Sequence, residues 1–504
     1  AHTFVVGLEE GRVFPAPVED AVLLDGEREA IGGGLPTSGD HATEAVFGVV
    51  SRLAAIGAAT DDDGTTTLSY SCRDLRQYRD TFPSWLLLQA FRLGRSGETT
   101  YGDLIAKLAE PVSAVPSLPD AAVSDSGWWL ANLHVGGLPE APLLEAFPGL
   151  RRGLKAEQAR ESDLFTVYDG AVPEAGRLLD PRGSRRVMSA TRLEGLAECP
   201  FRHFLQYGLG VDALEEAEPE RDVWLNPLTR GSELHALYAD VMRRVRDEGR
   251  SADPSHDLEW LTARADDRLR RLTEIMPPPS ALVFDRERQQ LIEDLALFLT
   301  LEAEQPDRRP VALEVGFGRP ARGLLTDEAD AVEPLARADA VRIGDERSGF
   351  LLRGKIDRID EVDGRYEVVD YKTGSFFEKK YGGTFHEGRL LQHALYGLAA
   401  VELLRPVDPD AQVSAGSYYF PSIRGGGQTS SKPHPPAAAT LGVLGNLFDT
   451  VANGAFVHTA DGENCRFCKH SDACGRDRFA RAGRKIWNTA NTALEPYRKL
   501  LRTE

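Results

Sequence analysis

The spacing of apolar positions changes along the chain, and each change predicts an element. Leu234, Leu237, Tyr238 and Val241 recur at i, i+3, i+4 and i+7, which predicts a helix over 226–246. Two more helical stretches follow at 256–274 and 283–303, separated by Pro277–Pro279. Upstream, Thr191-x-x-Glu194 reads as a capping box that opens a helix running through Cys199, Phe201, Phe204 and Leu205. Downstream, strand-like segments are expected at 310–317, 349–360, 365–372 and 413–420, with a helix at 386–404. The acidic run from Glu215 to Glu220 and the Gly-, Ser- and Pro-rich stretch 421–438 read as solvated loops, and the C-terminus as a basic helical tail. The first third is less regular. It offers a strand at Thr3–Gly7, glycine punctuation at Gly32–Gly34 and a loop at Gly127–Trp129. Asp180–Ser184 reads as a linker, so the chain divides into 1–184 and a mixed α/β domain over 185–504.

Composition narrows the class. The 504 residues are 42% hydrophobic and 27% charged, a soluble globular profile of about three folding units. No run of eighteen apolar residues predicts a membrane span. Five cysteines and no secretory signal point to a reducing cytoplasm rather than a disulfide scaffold. The chain opens at Ala1 and enters a strand at once, as a piece of a longer protein would. Its net charge of −19 argues against non-specific coating of duplex DNA. Charge acts locally, however, and residues 463–504 hold ten Lys or Arg against five Asp or Glu.

The most informative segment runs from Leu352 to Gly374. Asp363-Gly364 favours a two-residue type I′ turn, which sets Ile359 opposite Val368, Asp357 opposite Asp370 and Lys355 opposite Lys372. Facing like charges are destabilising, and a divalent cation between the two carboxylates is the simplest reason for them. Period 2 places Lys372 on the face of Asp370, where it can hold or help deprotonate an attacking water. Three further features bear on this site. His235 follows Gly231 by four residues and flanks the apolar stripe of its helix. Glu314 interrupts an apolar strand, and Gln392 and Tyr396 share one helix face.

Taken in order, Gly231-x-x-x-His235, Glu314, Gly354-x-x-Asp357, Asp370-x-Lys372 and Gln392-x-x-x-Tyr396 resemble the motifs of the RecB/AddB branch of the PD-(D/E)XK nucleases. The resemblance implies a restriction-endonuclease-like core, a mixed sheet flanked by helices with helical inserts. It also implies a Mg²⁺- or Mn²⁺-dependent DNA exonuclease acting in double-strand-break resection. His235, Asp357 and Asp370, with the Tyr371 carbonyl, would hold the metal. Glu314 would serve a second metal or a water, Lys372 would orient or activate the water, and Gln392 and Tyr396 would lie beside the site.

Cys465-x-x-Cys468-x₅-Cys474 is a compact cluster for which Cys199 can supply a fourth thiolate. The spacing is not that of a zinc ribbon, and Cys₄ ligation of a [4Fe–4S] cluster tolerates it; zinc remains the alternative. The arrangement resembles the iron–sulfur staple of AddB-type nucleases, in which the cluster ties the domain's two ends together. Cys72 fits no ligand pattern. Phe4–Pro15 resembles the late part of a UvrD-like helicase motor, which implies a helicase partner. No G-x-x-x-x-G-K-[ST] loop occurs, so the chain itself is not expected to hydrolyse ATP. Two other readings remain: a non-catalytic DNA-binding or scaffolding module, and a stand-alone nuclease of CRISPR adaptation or replication.

Overall fold

The structure is a computed structural model. It describes the chain apart from residues 1, 15–16, 21, 33, 60–64, 75–78, 94, 96, 98, 114, 137–139, 185, 213–221, 319–332, 347–348, 467 and 476. The acidic run Glu215–Glu220 lies outside the described residues. The chain forms two compact units, 1–157 with 216–221, and 158–215 with 222–504.

In the first unit, His2–Val5 pairs in parallel with Thr65–Leu68. Leu8, Leu86, Leu87, Leu88 and Leu104 make a small core. The expected Gly127–Trp129 loop is instead the start of the helix Asp125–His134, because Ser124 caps it by accepting the Gly127 N–H at 3.1 Å.

The second unit begins at 158, ahead of the boundary expected at 184. The reason is close backbone packing: the Val172 N–H donates to the Gly454 carbonyl at 2.8 Å, and Phe456 donates to Gly170 at 3.0 Å. The expected linker is helical, Pro181–Ser184.

A seven-stranded mixed sheet forms the centre. Phe350–Val362 pairs antiparallel with Arg365–Tyr371 and with Arg309–Phe317, while its first residues pair with Val187–Ser189 and Val341–Ile343. Val413–Phe420 joins Arg365–Tyr371 in parallel and carries Gln428–Pro433 at its edge. That last strand lies within the stretch expected to be a loop. Backbone pairing with Ala415–Phe420 organises it although its side chains are polar.

The two faces of the sheet are covered differently. One face packs on the helices Pro227–Asp247, Pro254–Ile275 and Ala281–Ala303, through Leu313, Val369, Tyr371 and Tyr419. The other packs on Ala190–Glu198, Gln392–Leu404 and Ala437–Ala452. The expected capping box is displaced: Ser189, not Thr191, caps Ala190–Glu198, and Pro200 interrupts the helix at Cys199. The helix expected from 386 starts only at Gln392, after a turn in which Glu387 has φ +59°. Under the first face, Arg358 is fully buried, binding Glu302 at 2.7 Å and Asp360 at 2.5 Å, which ties the Ala281–Ala303 helix to the central hairpin.

Strand alternation breaks where the motifs lie. Ala312 and Val315 share one core layer, as do Ile356 and Ile359, although residues three apart point to opposite faces of a regular strand. Glu314 takes up the irregularity with a left-handed backbone, φ +53°, a conformation that costs a non-glycine residue of order 1–3 kcal/mol and recurs at functional sites.

Candidate active site

The turn at Asp363-Gly364 has φ +50° and +72°, as a type I′ turn requires, and Ile359 faces Val368 in the expected register. The ladder ends at Arg358 and Val369, one pair short of the acids. Beyond it the strands separate, so neither Asp357 and Asp370 nor Lys355 and Lys372 are ladder pairs. Asp357 closes the gap with its side chain, Oδ2 accepting the Tyr371 N–H at 2.8 Å. Its other oxygen lies 3.3 Å from His235 Nδ1.

His235, Glu314 and Asp357 form a group whose donor atoms all lie within 4.8 Å of one another. Glu314 lies inside this group, and Asp370 lies outside it. The register accounts for the place of Glu314: Leu313 pairs with Arg358 and Val315 with Ile356, which sets Glu314 opposite Asp357. Glu314 Oε2 is ion-paired with Lys355, while Oε1 is buried and has no hydrogen-bond partner. A partnerless buried carboxylate oxygen beside an imidazole and a second carboxylate is a hard, oxygen-rich donor set that suits Mg²⁺ or Mn²⁺.

The electrostatics follow the packing. Burial opposes the charge of Asp357, yet His235 and the Tyr371 N–H hold its carboxyl below the usual range. Burial and the Asp357 charge push Glu314 up. Asp370 is raised by burial and by Asp357, against the pull of Lys372. His235 rises despite burial because Asp357 favours imidazolium. Lys372 Nζ lies 2.6 Å from Asp370 Oδ2 and donates to Gln392 Oε1 at 2.6 Å. Burial disfavours its charge, but Asp370 and Glu194 outweigh that and keep the ammonium protonated.

The glycines of the motifs have steric reasons. A Cβ on Gly231 would stand 3.2 Å from Thr373 Oγ1, so Gly231 lets the His235 helix approach the strand end after Lys372. A Cβ on Gly354 would stand 2.9 Å from the Tyr396 ring and 3.0 Å from Phe317. Tyr396 is therefore a buried brace of the Asp357 strand. Gly354→Ala is expected to cost about 1–3 kcal/mol of stability, measured by denaturant unfolding. An unchanged midpoint would show that the ring moves aside freely.

Glu194 was missed as a site residue. Its Oε1 accepts the N–H groups of Leu391 and Gln392 at 2.7 and 3.2 Å, and burial raises its carboxyl to about 7. A glutamate on an apolar helix face, five residues before Cys199, was the available signal. A raised carboxyl penalises the folded state as pH climbs from the ordinary glutamate range to about 7. Glu194→Gln keeps Oε1 and removes that penalty. Its stability relative to wild type should rise over that interval by up to about 3 kcal/mol and then level off. Thermal melts at pH 5 and pH 8 with equal differences would contradict this.

The four cysteines expected to act together are brought together. Burial and the neighbouring Cys199, Cys465 and Cys468 push the Cys474 thiol up to about 12. Cys199 is buried, and its Sγ accepts the Arg202 N–H at 3.4 Å.

With this geometry in hand, the chain belongs to the PD-(D/E)XK nuclease superfamily, whose profile matches residues 187–475. The relatives it resembles are more particular: each is an ATP-dependent helicase/deoxyribonuclease subunit of the AddB type. That of Moorella thermoacetica is 31% identical over 83% of this chain and 35% of its own length. The Symbiobacterium thermophilum protein is 26% identical over 83% and 35%, and that of Acetivibrio thermocellus 27% over 85% and 37%. The chain thus spans about a third of the length of these curated relatives. A match over 83% of the chain exceeds the second unit alone, so the similarity reaches into residues 1–157. Among the described residues no helix is long and apolar enough to cross a membrane.

Proposed function

We propose that this chain carries the nuclease activity of a helicase–nuclease subunit and hydrolyses DNA phosphodiester bonds with Mg²⁺ or Mn²⁺. Its proposed role is as an exonuclease on single strands released by a partner motor during double-strand-break resection. The observation that carries this reading is the partnerless Glu314 Oε1 within the His235–Glu314–Asp357 group, one strand from the Asp370–Lys372 pair. A divalent ion held by these residues supplies a Lewis acid for the scissile phosphate and a lowered pKa for water.

The chain's own groups do the rest. The Tyr371 N–H fixes one oxygen of Asp357 and leaves the other facing His235. Asp370, next to Tyr371, is the remaining acid of the donor set, and the Tyr371 carbonyl is a further donor. Lys372, held protonated, orients the attacking water and offsets charge on the phosphate; it is poorly suited to be the base. Gln392 fixes the ammonium, and Tyr396 fixes the strand behind it.

The four cysteines would hold a [4Fe–4S] cluster. One local pair, Cys465 and Cys468, with two single cysteines is not the two-pair spacing of a zinc ribbon, and [4Fe–4S] ligation tolerates it. The cluster's role would be to staple residues 199 and 465–474. The similarity of residues 1–157 to the helicase–nuclease subunits supports assembly with a motor that hydrolyses ATP. The test is digestion of end-labelled single-stranded DNA by anaerobically purified protein, with metal analysis. Release of short labelled products that requires Mg²⁺ or Mn²⁺ and stops with EDTA is the expected result. DNA binding without metal-stimulated cleavage would instead favour the scaffolding reading.

A further inference from the structure

We infer that Glu194 is a positioning residue for the cleavage reaction: through the backbone of Gln392 it sets where the Lys372 ammonium stands. This rests on the proposed nuclease reading and goes beyond it. The chain of contacts is continuous. Glu194 Oε1 accepts the N–H groups of Leu391 and Gln392 at 2.7 and 3.2 Å, at the first turn of the helix Gln392–Leu404. Gln392 Oε1 in turn accepts from Lys372 Nζ at 2.6 Å, and that nitrogen lies 2.6 Å from Asp370 Oδ2.

The first turn of Gln392–Leu404 needs such an acceptor. Leu391, at the cap position, has no side chain to satisfy the free N–H groups that begin a helix. Glu194 supplies the missing oxygen from a different helix. The side chain that begins this turn is also the one that grips the lysine, so a displacement of the turn moves Gln392 and the ammonium with it. A shift of about 1 Å in a group that orients a reactant can cost on the order of a hundredfold in rate.

The helix that carries Glu194 is anchored at both ends. Ser189 caps its start, and its far end runs into Cys199, whose Sγ is held by the Arg202 N–H. Nine helical residues, Ala190–Glu198, therefore connect the cysteine cluster to the brace of Lys372. The same helix also meets the core of the sheet through Leu193, Leu196 and Ala197. Glu194 is not among the residues whose donor atoms group at His235, Glu314 and Asp357, which separates its role from theirs.

Length and charge can be tested separately. Glu194→Gln keeps the chain length and the accepting Oε1 and loses the charge; Glu194→Asp keeps the charge and withdraws the oxygen by one methylene. On end-labelled single-stranded DNA with Mn²⁺, E194Q should retain kcat within about threefold of wild type. E194D should lose tenfold or more in kcat, with KM and Mn²⁺ affinity by calorimetry within about threefold. In a Gln392→Ala background, E194D should bring little further loss, because both changes release the same ammonium. An active E194D beside an inactive E194Q would overturn the proposal, since charge rather than reach would then matter. Full multiplication of the E194D and Q392A losses would overturn it as well. An E194D protein that melts early at every Mn²⁺ concentration and recovers full kcat below its melting range would assign Glu194 to stability alone. Asp370→Ala serves as the control. If it cuts like wild type, the nuclease reading fails whatever Glu194 does, whereas its inactivity beside a fully active E194D rejects only the positioning role.

Discussion

Asp370→Asn should abolish metal-dependent cleavage, lowering kcat by at least about a thousandfold, roughly 4 kcal/mol of transition-state stabilisation. The substitution keeps the side chain's size and removes one charge. Two consequences follow from the site. The proposed donor set loses a carboxylate, and the Lys372 ammonium loses the partner 2.6 Å away that holds it in place. The fold should persist. Burial and the Asp357 charge already push the Asp370 carboxyl up, so the amide relieves that penalty, and this gain opposes the cost of leaving the half-buried Lys372 ammonium without its counter-charge. Single-turnover digestion, paired with thermal unfolding of the same preparations, checks both halves. Equal cleavage by wild type and variant would remove Asp370 from the site.

Cys468→Ala should cost the protein its iron, its brown colour and several kcal/mol of stability, with a fall in melting temperature of roughly 5–15 °C. The physical basis is the segment around it. Among the described residues from 461 to 474 none is buried, and the regular structure consists of the short turns Glu463–Cys465 and Ser471–Cys474. Such a segment has little apolar burial with which to hold itself against chain entropy. Ligation by four thiolates would supply what the core does not. Iron and acid-labile sulfide analysis of anaerobically purified protein, together with melting curves, tests this. A colourless wild type loaded with zinc would replace the iron–sulfur assignment.

The two expectations differ in how far the chain's linear order carried them. The hairpin around Asp363-Gly364 was legible because turn chemistry and period 2 are local, and the register Ile359–Val368 followed from them. The helix Pro227–Asp247 was legible for the same kind of reason, its apolar stripe repeating at helical spacing. The edge strand Gln428–Pro433 was not, because its pairing comes from Val413–Phe420 rather than from apolar residues of its own. Ser189 in place of Thr191 as the helix cap was a matter of one or two residues, where local signals compete. The grouping of Glu314 with His235 and Asp357 was hidden for a deeper reason. Alternation along one strand carries no sign of the strand it will pair with, nor of a ladder that stops one pair early.

The order of residue types along the chain was enough to determine the family and the central hairpin. Those features rest on local backbone preferences and on chemistry that each side chain carries wherever it lies. Only the tertiary structure decided which acid joins His235 and Asp357, that Gln392 grips Lys372, and that Glu194 holds Gln392 in turn. These depend on the separation of two strands and on helices distant in sequence converging on one strand end, and burial then sets the charge of each group that meets there.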